Sequence, residues 1–360
     1  MQIGILIRSM TALICCMCMA SSVWSAEVEY LDDKDGVPTI HISGEIAPGD
    51  LKKAQDVALE LFESEELNTV FELMSLGGVA FSLDTPGGDI EEAIRIGRWL
   101  RSIHAKVLIH GNFIESPDSE DGKLIIADAH PNSYWKVVPR GKALGSAELI
   151  EVYSAGVLIF YGAATRQIVD NFDRRTARTL PGDCIPVIGV HRPFYEKKYF
   201  ASLGPAEAEK KYKQLEMLVD KYLEEMGAPR QFIDEMFQMP SSKIRHISSE
   251  DFERFYNKRE PYLDEWLIAK CGETGAINVL SDSELSVHEQ SRKILREKRI
   301  AVMREKGIAA GSEIETMNEY EKGLVSKVRA YNLEVNACRA AAIFETQLEW
   351  ARSYRLSMSP

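Results

Sequence analysis

Cysteine, histidine and net positive charge are all scarce in this chain. Of its six cysteines, three (Cys15, Cys16 and Cys18) fall within the first twenty of 360 residues. Only Cys184, Cys271 and Cys338 remain beyond them. None of these is spaced as a zinc ligand pair, and the seven histidines are scattered, so no metal site and no metal cofactor is expected. The formal net charge is −12, and no basic stripe interleaved with aromatics is present. Nucleic acid and anionic membrane surfaces are therefore poor partners. After residue 20 no apolar run is long enough to span a bilayer. Internal repeats, low-complexity tracts and a Gly-x-Ser-x-Gly elbow are also missing; Val152 stands where that elbow would have its first glycine. The α/β-hydrolase fold is excluded on that ground.

What is present begins with an N-terminal leader. Met1–Arg8 carries one positive charge, Met10–Ala20 is largely apolar, and Ser21–Ala26 is mostly small. This is the layout of a secretory signal peptide over residues 1–26, cut after Ser25 or Ala26; Trp24 makes the second cut less tidy. Export, most simply to a periplasm, is the expectation, with membrane anchoring if the leader is retained. An oxidising compartment permits one disulfide among the three remaining cysteines. Cys271 with Cys338, both in the C-terminal third, is the expected pair.

Strand patterns at Val37–Ser43, Gly78–Leu83, Lys106–His110 and Ile185–Val190 alternate with helical ones at Leu51–Phe62, Asp89–Ile103 and Ser154–Val169. This alternation predicts α/β layering over residues 27–260. Gly111–Gly145 breaks the rhythm and reads as a surface insertion, and Asn171–Asp183 as a polar loop. Residues 261–360 are charged and helix-prone and form a helical C-terminal extension.

Two segments carry the chemistry. In Leu83-Asp84-Thr85-Pro86-Gly87-Gly88-Asp89 a buried strand turns through two glycines into a helix. Such a turn points backbone N–H groups at one spot beside a positive helix end, where an oxyanion is stabilised. The second segment is Ser154-Ala155-Gly156, with Val190-His191-Arg192-Pro193 beginning 36 residues later. It supplies a hydroxyl at the mouth of an apolar helix and an imidazole whose ordinary pKa suits it to take the hydroxyl proton.

The order Gly44-Glu45-Ile46, Pro86-Gly87-Gly88, Ser154-Ala155-Gly156, Val190-His191-Arg192-Pro193 resembles the Clp-type serine peptidases of the ClpP/crotonase superfamily, and more narrowly their secreted or periplasmic relatives. The resemblance runs from about Val37 to Phe255. It implies a spiral of ββα units, Ser154 as nucleophile and His191 as general base. It also implies an oxyanion hole of N–H groups around Gly87–Gly88 and at Ala155, peptide or unfolded-protein substrates, and a homo-oligomer. The pattern departs from the family at the third triad member. Such peptidases place an aspartate just before a segment like His246-Ile247-Ser248-Ser249-Glu250, and Met236–Ser249 contains no acid. A carboxylate from Asp234 or from the Asn171–Asp183 loop, or a simple Ser–His dyad, are the alternatives. A Ser–Lys dyad of the signal-peptide-peptidase type would use Lys197 or Lys198. A catalytically silent binding member of the fold stands as a further alternative. A CoA-dependent crotonase is disfavoured by export.

Overall fold

The computed structural model describes residues 25–31, 39–63, 77–110, 123–126, 136–139, 149–169, 185–195, 197–247, 249–255, 259–306 and 318–358. The chain divides into two compact units, Met1–Leu61 with Ala80–Lys258, and Phe62–Val79 with Arg259–Pro360.

The first unit is mixed α/β. Strand β1 (Glu27–Leu31) runs antiparallel to β2 (Thr39–Ser43). Helix α1 (Asp50–Glu63) leads on towards β3 (Ala80–Asp84), parallel to β2. Helix α2 (Ile90–Ser102) joins β3 to β4 (Lys106–His110), again parallel. Ile40, Ile42, Phe81, Leu83, Val107 and Ile109 are essentially fully buried. Strands covered on both faces are nearly continuous apolar runs, which is how β3 reads. Asp89 caps α2, its Oδ1 accepting the Glu92 N–H at 2.7 Å.

Strands β5 (Lys123–Ile126) and β6 (Lys136–Pro139) form an antiparallel pair within the expected insertion. Strand β7 (Leu149–Tyr153) enters α3 (Ala155–Gly162), and β8 (Thr165–Val169) follows, parallel to β4. The expected single helix over Ser154–Val169 is thus corrected. The helix stops at Gly162, the Ala164 and Thr165 N–H groups both turn to the Ala105 carbonyl, and β-branched Thr165, Ile168 and Val169 lie in the strand that closes the sheet β1-β2-β3-β4-β8. A second sheet, β10-β9-β7, holds β9 (Ile185–Val190) parallel to β7 and antiparallel to the two-residue β10 (Arg245–His246). Helices α4 (Lys197–Ser202), α5 (Pro205–Glu225), α6 (Arg230–Gln238) and α7 (Ser249–Phe255) complete the unit.

Helices α2 and α3 pack backbone to backbone. A Cβ on Gly162 would lie 2.3 Å from the Gly97 Cα, and one on Gly97 would strike the Tyr222 hydroxyl. That hydroxyl donates to the Leu158 carbonyl at 2.8 Å, fixing α5 to α3.

The second unit carries α8 (Pro261–Cys271), α9 (Asp282–Lys306) and the 40-residue α10 (Glu319–Met358). Cys271 and Cys338 are bonded, with Cα atoms 5.6 Å apart. Leu280, Leu324 and Val328 form a small core there, packed by Val279, Leu285 and Val287. Among the described residues no helix is long and apolar enough to cross a membrane.

Candidate active site

The sheets meet where β3 runs out. Thr85 bridges Val152 of β7, the Tyr153 N–H donating to the Thr85 carbonyl at 3.0 Å. On the opposite edge Ile46 clamps the glycine turn: its N–H donates to the Gly87 carbonyl at 2.8 Å and its carbonyl accepts from Asp89 N–H at 2.7 Å. Gly87 and Gly88 have φ of 118° and 131°, values open only to glycine without strain. A Cβ at Gly88 would lie 2.2 Å from the Ile46 oxygen.

The two N–H groups of the turn have different fates. Gly87 N–H donates to the Thr85 hydroxyl at 3.1 Å, within a local Ser/Thr-type turn. That N–H is thus already paired within the turn, whereas Gly88 N–H has no hydrogen-bond partner among the described residues. Its peptide is trans, so this N–H points opposite to the Gly87 carbonyl that Ile46 holds, towards the edge where β7 lies. The Ala155 N–H, at the first position of α3, also has no hydrogen-bond partner among the described residues. A Cβ built on Gly87 would sit 3.4 Å from the Ala155 nitrogen.

Ser154 occupies the turn between β7 and α3 with φ 52° and ψ −114°. A non-glycine residue held there costs about 1–3 kcal/mol and persists only where its surroundings impose it. Here Ser154 N–H donates to the Gly189 carbonyl of β9 at 3.2 Å, and the Ser154 Cβ occupies space that a side chain at Gly87 would need. The Ser154 hydroxyl caps nothing and makes no hydrogen bond among the described residues. The side chain is half-buried. The serine thus sits on a strained strand–helix turn, reached without the leading glycine of the hydrolase motif.

Strand β9 brings the imidazole. Tyr153 pairs with Gly189, so the strands carrying Ser154 and His191 end side by side. Both residues line one small pocket, together with Ile90, Ala155, Leu158, Val190, Pro193, Val219 and Met236. The pocket encloses about 10 Å³, room for a single water. His191 Nδ1 lies 3.0 Å from the Arg192 carbonyl oxygen, and Arg192 is itself pinned by donating its N–H to the Met239 carbonyl. A carbonyl can only accept, so Nδ1 carries the proton and Nε2 is left as the base.

The other sequence candidates lie elsewhere. Asp234 is exposed on α6 and paired with Arg230 at 2.8 Å, so it is no third triad member. Asn171–Asp183 lies outside the described residues. Continuing the β9–β10 register places Ile244, not an acid, across from His191. Lys197 and Lys198 are exposed on α4, not in the pocket, without the burial that makes a lysine a base at neutral pH.

Three contributors escape a reading of motifs. Thr85 decides which glycine N–H is free, and its spacing two residues before Gly87 is a signal for such a turn. Arg101 and Arg166 cap the far end of α3. The Arg166 guanidinium, only 2% exposed, donates to the Tyr161 carbonyl at 2.6 Å, and Arg101 reaches Gly162 and Tyr161, each at 2.9 Å. Cations at that end leave the positive end of a wholly buried helix facing Ser154. Among the described residues no group of histidines, cysteines and carboxylates could hold a metal ion.

No model of a known protein family matches the chain, and no curated protein matches it. Among solved structures it is similar to a mutant of the 1510-N membrane-bound stomatin-specific protease, at 14% identity over 65% of this chain and 83% of that one, with a TM-score of 0.32.

Proposed function

We propose that this chain is an exported serine peptidase of the ClpP/crotonase type, acting on peptides or unfolded protein segments through a Ser154–His191 dyad. The observation that carries the reading is the strained backbone of Ser154, held with a free hydroxyl in the pocket it shares with His191.

The chemistry follows from the parts. Nε2 of His191 takes the Ser154 hydroxyl proton as Oγ attacks the scissile carbonyl carbon. The carbonyl π pair moves to oxygen, and the oxyanion accepts from Gly88 and Ala155 N–H. His191 then gives its proton to the leaving amine nitrogen as the C–N bond breaks. Water, deprotonated by His191, bonds to the acyl carbon, the C–Oγ bond breaks as His191 returns the proton to Ser154 Oγ, and the acid leaves. The Arg192 carbonyl does the orienting work of a triad carboxylate, without its negative charge. The imidazolium that forms is then balanced by no neighbouring carboxylate, so turnover is slower than in a full triad.

Incubation with an unfolded, carboxymethylated protein tests the reading. Cleavage is expected, and a Ser154→Ala chain should give none. A second reading, a binding member of the same fold that hydrolyses nothing, draws on the pocket's size: a side chain enters only if the pocket opens. Binding of that substrate without cleavage, unaltered in Ser154→Ala, would favour it.

A further inference from the structure

The start of β1 is held by a buried acid. Asp50 is fully buried at the first residue of α1. Its Oδ2 accepts from the Ala26 N–H at 3.1 Å and the Ala47 N–H at 2.7 Å. Its Oδ1 accepts from the Ser25 hydroxyl at 2.5 Å and pairs with Lys53 at 2.9 Å. Lys53 is about half exposed and also reaches the Ala26 carbonyl at 3.1 Å. Ala26 is only 2% exposed.

A buried carboxylate is a costly partner for an ordinary amide, which a carbonyl would satisfy. It is a fitting partner for a charged amine. The nitrogen in question belongs to Ala26, next to one of the two cuts allowed by the leader sequence. A cut after Ala26 would discard a buried residue and its bond to Asp50. A cut after Ser25 keeps both and turns the amide into an α-ammonium with three donors.

We infer that the chain is processed between Ser25 and Ala26, and that the new α-ammonium forms a buried ion pair with Asp50. The step is hydrolysis by a processing endopeptidase. Water oxygen bonds to the Ser25 carbonyl carbon, the C–N bond breaks, and the Ala26 nitrogen leaves as an amine that is protonated at neutral pH. Because Ala26 is buried once folded, the cut precedes folding. The pair sits two links from the oxyanion turn: Asp50 holds Ala47, and the preceding residue, Ile46, clamps Gly87 and Asp89. This inference stands apart from the hydrolytic reading, since it needs neither Ser154 nor His191.

Charged groups beside the amine among the described residues are Asp50 and Lys53 from α1 and the next residue, Glu27 on β1. Among the described residues Asp50 is the carboxylate bonded to that nitrogen, so the pair contributes stability while the amine is protonated and loses it once the amine is neutral.

Two measurements test this on the full chain and its natural product. Export of the full-length chain followed by intact-mass and N-terminal analysis should give Ala26 as the first residue; Glu27 would overturn the inference. Melting of the Ala26 chain should then be compared with that of a chain keeping Ser25, which displaces the amine while leaving Asp50 intact. The Ala26 chain should melt about 3 °C higher at pH 7 and lose that advantage by about pH 10. Asp50→Asn should remove the difference where it folds. Identical pH profiles for the Ala26 and Ser25 chains would overturn the pairing.

Discussion

The carbonyl oxygen of Arg192 lies 3.0 Å from Nδ1 of His191, where a triad would set a carboxylate. A neighbouring backbone oxygen fixes the tautomer as a carboxylate does, but it cannot balance the imidazolium that forms on proton transfer. In the proposed mechanism the pair thus has its tautomer set but lacks a carboxylate to stabilise the charged ring.

The first expectation concerns the base. His191→Ala should slow acylation of Ser154 by about 10²–10⁴-fold, the usual share of a positioned proton acceptor. Lys197→Ala and Lys198→Ala should leave it within about twofold. A fluorophosphonate reporter followed against time gives the rates. Loss in a lysine variant, with His191→Ala unaffected, would move the base to α4.

Gly87→Ala probes the turn. The new Cβ would come within 2.8 Å of the Ser154 Cβ at a φ of 118°. A cost of about 1–3 kcal/mol in urea unfolding is expected, with acylation slowed more than tenfold. Gly204→Ala, where a Cβ meets nothing within 4 Å, should change stability by less than about 0.5 kcal/mol.

Acid should loosen the first unit as its half-buried histidines take up protons. Burial pushes the His41 imidazole below its ordinary value, against the pull of Asp84, Glu29 and Glu27. Burial, then the Arg101 charge, does the same to His104. A histidine with a lowered folded pKa leaves the unfolded chain binding more protons as pH falls. Stability is thus full above about 6.5 and declines below it. Urea midpoints at pH 7.5 and pH 5.5 should differ, and His41→Asn should narrow the gap. An unchanged gap in both His41→Asn and His104→Asn would refute the assignment.

Reduction should act on the second unit. The Cys271–Cys338 bond closes a loop across a sequence separation of 67. Chain entropy alone makes its loss worth about 4 kcal/mol. Cys271→Ser with Cys338→Ser should shift the melting of that unit downward and make it indifferent to reductant.

Much of the α/β frame can be read along the chain, because each parallel strand is a short buried run set between helical stripes. Ile40 and Ile42 in β2 and Phe81 and Leu83 in β3 are such runs. The Ser154–Val169 stretch misleads for the same reason: an apolar run suits a buried helix or a buried strand equally well, and only pairing of Thr165 with Lys106 decides. At the candidate site, the residues Ser154 and His191 and the glycine turn can be picked out from their surroundings. The hydrogen bonds that the turn and the imidazole make cannot. Which glycine N–H is free depends on the Thr85 hydroxyl, and which nitrogen of His191 is basic depends on the Arg192 carbonyl. The first leaves a trace in the spacing of Thr85 from Gly87, while the second is set by geometry alone.

The most direct test of the account is fluorophosphonate labelling of the mature protein, read by peptide mapping. One adduct on the Ser154 hydroxyl, absent in Ser154→Ala and strongly slowed in His191→Ala, is the predicted result. No adduct, or one that persists unchanged in Ser154→Ala, would contradict it.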